Sequence, residues 1–84
     1  MKHIKEYRLQ KDTIAPQTAY ITKGADIVNL IDLGFDVALI VVCNYPEMQT
    51  ELRTFKVCNL TEILYEDNIR YIGNFGEQHL VEIL

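Results

Sequence analysis

Seven consecutive apolar residues, Val37-Ala38-Leu39-Ile40-Val41-Val42-Cys43, run through the middle of an 84-residue chain. The run is too short for a lone buried helix and is rich in β-branched residues. It therefore predicts a strand covered on both faces. Gly34 sets a turn before it, and Asn44 and Pro46 break it afterwards, in the loop "NYPEMQ". A strand of this kind is either the spine of a core or an adhesive edge for a partner. The burial preferences of Val, Ile and Leu favour the core. Eighty-four residues make one domain, 1–84, with no room for a second core.

The flanking segments read as shorter strands. "HIKEYRL" alternates, with Ile4 on one side and Tyr7 and Leu9 on the other. "TAYIT" is rich in β-branched and aromatic residues. In "ELRTFKV", Leu52, Thr54 and Lys56 share one face, and Arg53, Phe55 and Val57 the other. "IRYIGNF" and "HLVEIL" are two more strands, joined by the turn "GEQ". "QKDT" and "APQ" read as loop, and "KG" and "LG" as turns. "ADIVNLIDL" has two readings. Thr22 as a cap, Gly34 as a stop and a stripe of Ile27, Leu30, Ile31 and Leu33 fit a helix at about 24–33, which gives an α+β fold. As a strand it places Val28 and Leu30 inward, and the fold is mainly β.

From residue 2 to about residue 83 the chain resembles a family of small bacteriophage-encoded proteins, a domain of unknown function. The resemblance is carried by "IKEYRL", by "ITKGADIVNLIDLGFDVALIVVCNYPEMQTELRTFKV", and by "RYIGNF" with "HLVEI". It implies a phage origin, a compact mainly β fold and no established activity. In that family the counterpart of "KGADIV" leads into an extended segment, which favours the strand over 25–32. The chain departs from the family pattern in three places. It has "NLTEI" for a Gly-Thr-Gly turn, Val37 or Ala38 for a Trp, and "QHL" for an aromatic-His pair. Any binding role of those family residues does not carry over. The expected architecture is six or seven short, mostly antiparallel strands in a half-open barrel or sandwich. The central strand is paired with 25–32 on one side and with 51–58 on the other.

Charge narrows the function classes. The net charge is −4, which argues against direct binding of nucleic acid through its phosphates. Residues 1–42 balance five acids against five bases, whereas 43–84 carry seven acids and three bases. No apolar stretch follows "MKHIKEYRLQ" as in a signal peptide, and none reaches membrane-span length. The expected location is the cytoplasm of the host cell, with Cys43 and Cys58 reduced. "NLT" at 59–61 is then a chance match to a glycosylation pattern.

Chemistry finds little support. His3, Cys43, Cys58 and His79 lack the close spacing of a zinc site. Glu66-Asp67 are adjacent and would diverge on a strand. "GNFG" has no phosphate-loop context, and its plain reading is a turn with Gly at positive φ. No catalytic residue, metal or cofactor is expected. The leading expectation is a phage accessory protein that binds and inhibits a host defence protein stoichiometrically, in the manner of anti-CRISPR or DNA-mimicking proteins. Its candidate contacts are Tyr45, Glu47, Glu51, Tyr65, Glu66 and Asp67, which would meet Lys or Arg of a nucleic-acid-binding partner. A second reading is an oligomeric binder of a small nucleotide-like ligand through Lys23, Arg53 and Arg70. A third is a virion or housekeeping component. Uncovered sheet edges lead to the expectation of a homodimer.

Overall fold

The computed structural model describes residues 1–44, 47–63 and 67–84. Seven strands and one short helix follow in the order β1 (Lys2–Gln10), β2 (Gln17–Thr22), β3 (Asp26–Asp32), β4 (Asp36–Asn44), β5 (Thr50–Cys58), α1 (Leu60–Ile63), β6 (Ile69–Phe75) and β7 (Gln78–Ile83). They form two antiparallel sheets: sheet A, ordered β1-β4-β3, and sheet B, ordered β2-β5-β7-β6. The fold is mainly β, and the sheets do not close into a barrel.

The apolar run is β4, the middle strand of sheet A. Val37, Leu39, Val41 and Cys43 face the core and are at most 1% exposed. They meet Ile21, Phe55, Val57 and Leu80 of sheet B. Alternation within β4 thus fills the space between the layers and leaves Ala38, Ile40 and Val42 on the outer face of sheet A.

The expected neighbours of β4 need one correction. β3 pairs with it as anticipated, but its other neighbour is β1, with Leu9 opposite Val37 and His3 opposite Cys43. The 51–58 strand is not a hairpin partner. It lies in sheet B between β2 and β7. After Asn44 the chain crosses from one layer to the other, so proximity in sequence did not become pairing. β5 nevertheless keeps its alternation, with Phe55 and Val57 in the core.

The segment 26–32 is a strand and not a helix, and its inward residues are Ile27 and Leu30. A bulge between Ile27 and Asn29 shifts the register and leaves Val28 57% exposed. One extra residue turns a spacing of two into a spacing of three, which is why the segment also fitted a helical stripe. A second bulge lies between Tyr71 and Gly73. There a Cβ on Gly73 would come within 3.3 Å of the Leu30 side chain. Gly73 is therefore a point of close approach between β3 and β6. The positive φ of that stretch belongs to Gly76, at 61°, in the tight turn before β7.

Gln10 and Cys58 lie at the same end of the fold, and Lys2, Thr22, Asp26, Asn44, Thr50 and Ile83 lie at or near the other, as the registers require. β5 and β6 run parallel with β7 between them, so their connection has to travel the length of sheet B. It carries α1, whose start is capped by Asn59: Asn59 Oδ1 accepts from Glu62 N–H at 3.0 Å. Ile63 sits with Cys58, Val81 and Ile69 around a small cavity of about 100 Å³ on the outer face. Lys56 and Glu62 bridge across it at 3.7 Å. No helix among the described residues is long and apolar enough to cross a membrane.

Candidate functional site

One end of the sandwich gathers most of the residues singled out in the sequence. The β2–β3 turn brings Lys23, the loop before β5 brings Glu47, and β5 opens with Glu51 and Arg53. Asp67 precedes β6, and Arg70 lies at its start. Thr54, Ile83 and Ile69 lie in one row across β5, β7 and β6. Glu51 lies on β5 and Asp67 just before β6, and those two strands are two ladder spacings apart, about 10 Å. Tyr45, Tyr65 and Glu66 lie outside the described residues.

The chemistry at this end centres on Arg53 and Glu82. Arg53 shares the inward face of β5 with Phe55, and Glu82 stands opposite Phe55 on β7. Arg53 Nε and Nη2 donate to the two Glu82 oxygens at 2.6 and 2.7 Å, and Nη1 donates to the Ala25 carbonyl at 2.9 Å. The two side chains are only 10% and 6% exposed. The Glu82 carboxylate holds the guanidinium above its already high ordinary pKa, against the opposing effect of burial. Arg70 Nη1 approaches Glu82 from outside at 4.0 Å, with its own side chain 63% exposed. Through Ala25, which precedes β3, the pair joins sheet B to the entrance of sheet A.

Of the three candidate cations, Arg53 is thus matched by an internal carboxylate, while Lys23 and Arg70 stay exposed. Of the candidate acids, Glu51 and Asp67 are exposed, and Glu51 Oε1 accepts from the Gly24 N–H at 3.4 Å. Glu47 is half-buried and closes its own loop, its carboxylate accepting from Gln49 N–H at 2.8 Å. Lys23 N–H donates to the Gln49 carbonyl at 2.8 Å, which ties that loop to the β2–β3 turn.

A groove of about 380 Å³ opens here, lined by Glu51, Arg53, Arg70 and Glu82 together with Leu52, Thr54, Ile83 and Leu84. Sequence reasoning missed its apolar wall. Leu52 and Leu84 are 53% and 67% exposed, and only the placement of β5 beside the chain's last residues brings them together.

The cysteines need a second correction. Pairing of β4 with 51–58 as a hairpin would have set Cys43 near Glu51 and Cys58 near Asp36. In the observed registers Cys43 lies opposite His3 in sheet A, and Cys58 opposite His79 in sheet B. Both thiols are buried and neither forms a disulfide. His79 Nδ1 is 2.8 Å from the Tyr71 hydroxyl. Among the described residues no group of three or more His, Cys, Asp and Glu side chains is arranged to hold a metal ion.

No family model, curated protein or solved structure matches this chain.

Proposed function

We propose that this protein is a phage accessory factor that binds a basic surface of a host defence protein stoichiometrically, in the host cytoplasm, and does not turn over a substrate. The observation that carries the reading is the convergence of Glu47, Glu51 and Asp67 on one end, beside an Arg53 whose charge is matched internally by Glu82. Because that pair is close to neutral as a unit, the outward field of the end is set by Glu51, Asp67 and Asp26, with the half-buried Glu47, against Lys23, Arg70 and Lys2. Exposed carboxylates of this kind steer association with a basic partner, while each rim pair adds little affinity. The phage and host parts of the reading rest on the resemblance carried by "IKEYRL", the central block and "HLVEI".

The groove favours the second reading, a small anionic ligand, with Arg70 as the exposed cation of its lining and Lys23 outside it. It is the weaker one because Arg53 has all three nitrogens engaged. The test is a titration of the captured and identified host protein with this chain, alongside a Glu47→Gln/Glu51→Gln/Asp67→Asn variant. The expected result is an endpoint near one protomer per target, with association slowed by salt and by the triple change. Full effect at far below one equivalent would overturn binding in favour of turnover. A nucleotide retained by the purified protein would put the ligand reading first.

A further inference from the structure

The two sheets have four edge strands, and three of them are guarded. β3 and β6 each carry a bulge, which breaks the register that a straight partner strand would need. Leu30 against Gly73 also sets these two edges close together. β2 is six residues long and follows Pro16 directly. β1 lies beside β2, with Lys5 Nζ donating to Thr22 Oγ1 at 3.0 Å, and carries Lys2, Lys5, Glu6 and Arg8, but it has neither bulge nor truncation. It is nine residues long, contains no Pro, and pairs with β4 in unbroken register from Lys2 to Gln10.

The backbone parity of β1 follows from its neighbours. The Asp36 carbonyl accepts from Leu33 N–H at 2.9 Å, so Asp36 directs its backbone groups towards β3. Gln10, opposite Asp36, therefore points its own groups away from β4. Gln10 confirms this. Its N–H donates to Gln17 Oε1 at 2.7 Å, and its carbonyl accepts from Gln17 Nε2 at 2.8 Å. A side-chain amide stands where a neighbouring strand would stand. By the same parity, Arg8, Glu6 and Ile4 present their N–H and C=O groups outward. Among the described residues no backbone group meets them there.

We propose that a second copy of this chain fills that edge, β1 against β1, antiparallel about a twofold axis at Tyr7. The charges select the occupant and the register. Only outward-pointing residues of the two strands can exchange backbone bonds, so the axis passes through a residue. The axes that keep Arg8 paired with a different residue are at Lys5, Glu6 and Tyr7. An axis at Ile4 sets Lys2 opposite Glu6 but leaves Arg8 outside the junction, and a dimer of that kind would be indifferent to Arg8→Glu. An axis at Lys5 sets Lys5 on Lys5 and Lys2 on Arg8. An axis at Glu6 sets Glu6 on Glu6. The axis at Tyr7 sets each Glu6 opposite Arg8 of the second copy, twice, with Tyr7 opposite Tyr7 and Lys5 opposite Leu9. Glu6 and Arg8 already lie 3.9 Å apart on one strand, so the four side chains alternate in sign across the junction. The Gln17 amide confines the new ladder to these central pairs. Sheet A becomes one six-stranded sheet, β3-β4-β1 meeting its twofold copy. The twofold also sends the two Glu51–Asp67 ends to opposite poles, so one dimer can engage two partners.

The test is sedimentation equilibrium of the full chain at about 100 micromolar, an order of magnitude suited to a weak dimer. It compares wild type, Glu6→Arg, Arg8→Glu and the double reversal, with circular dichroism as the check on folding. Both positions are exposed, so all four proteins should fold. Wild type is expected at twice the 9.7 kDa chain mass. Each single reversal should raise the dissociation constant roughly tenfold or more, and the double reversal should restore it. A monomeric wild type would overturn the pairing. So would a dimer indifferent to the single reversals, or a folded double reversal that stays monomeric.

Discussion

Val81 and Cys58 point away from the core of sheet B and are nonetheless buried, at 2% and 7% exposure. Ile4 and Ile31 point away from the core of sheet A and remain 71% and 40% exposed. The residue types are alike, so hydrophobicity does not explain the difference. Position explains part of it, because Val81 and Cys58 lie on inner strands and Ile4 and Ile31 on edge strands, while Ala38, on the inner strand of sheet A, is fully buried. Topology adds the rest. β5 and β6 are parallel with β7 between them, and the connection has to pass along sheet B, carrying α1 onto its outer face. In sheet A, β3 and β4 are joined by the short turn at 33–35, and no described segment passes over the outer face. One layer is finished by its own chain. The other keeps an open face and an open edge.

The sharpest test of this contrast compares neighbours on one strand. Leu39→Ala, on the inner face of β4, should cost about 2–4 kcal/mol in chemical denaturation. Ile40→Ala, on the outer face, should cost about 1 kcal/mol or less. Equal losses would mean that sheet A is covered on both faces.

Next in size is the clip between the layers. Glu82→Gln leaves a largely buried guanidinium without its counter-charge and should cost about 2–3 kcal/mol, below the value for a fully enclosed pair because the groove opens on solvent. Replacing both partners, Arg53→Met with Glu82→Leu, should recover most of that loss. A double variant as unstable as the single one would show that the pair contributes more than charge compensation.

A smaller effect probes the cover on sheet B. Ile63→Ala should lower stability by about 1 kcal/mol and uncover Cys58. Its thiol should then react faster with an aromatic disulfide reagent, while Cys43, in the core between the sheets, stays slow. Unchanged reactivity would mean that α1 is not what buries Cys58.

The smallest effect is at the opposite end of the fold. Lys11 Nζ donates to both oxygens of Asp32 at 2.9 Å, and the Gly34 N–H donates to Oδ1 at 2.9 Å. These bonds hold the Asp32 carboxyl below its ordinary value of 3.8, the Lys11 bond having the larger effect. A lowered folded-state pKa stabilises above the unfolded value and is lost as pH falls through the folded one. Asp32→Asn should therefore melt slightly below wild type near pH 6, and the gap should close towards pH 3. A gap independent of pH would assign the effect to packing.

Much of this was legible locally. Alternation marked β1 and β5, and Gly24 and Gly34 marked turns that adopt positive φ. Pairing across the fold was not legible. The short connection from Cys43 to Thr50 suggested a hairpin, yet β4 takes β1, more than thirty positions earlier, as its neighbour. Nothing in either strand encodes that choice. The bulge at Val28 disguised β3 by setting Ile27 and Leu30 on one face. At the candidate site, Glu51 and Asp67 are united only by the parallel course of β5 and β6. Arg53 read as a candidate ligand contact, and Glu82, 29 positions away, was not singled out as its partner. One signal was available: Arg53 falls on the same face as Phe55 and Val57, and Glu82 follows Leu80 and Val81.

Residue-resolved amide exchange along β1 probes the open edge of sheet A most directly. In dilute Glu6→Arg, as a monomer, the amides of Lys5, Tyr7 and Leu9 should exchange slowly, because they face β4. Those at positions 6 and 8 should exchange quickly, because they face outward. In wild type at a concentration where it associates, the amides of Glu6 and Arg8 should become slow as well. If they are as slow as Lys5 and Tyr7 in the monomer, the edge is already occupied within the chain. If they stay fast in the associated wild type, β1 is not where two copies meet.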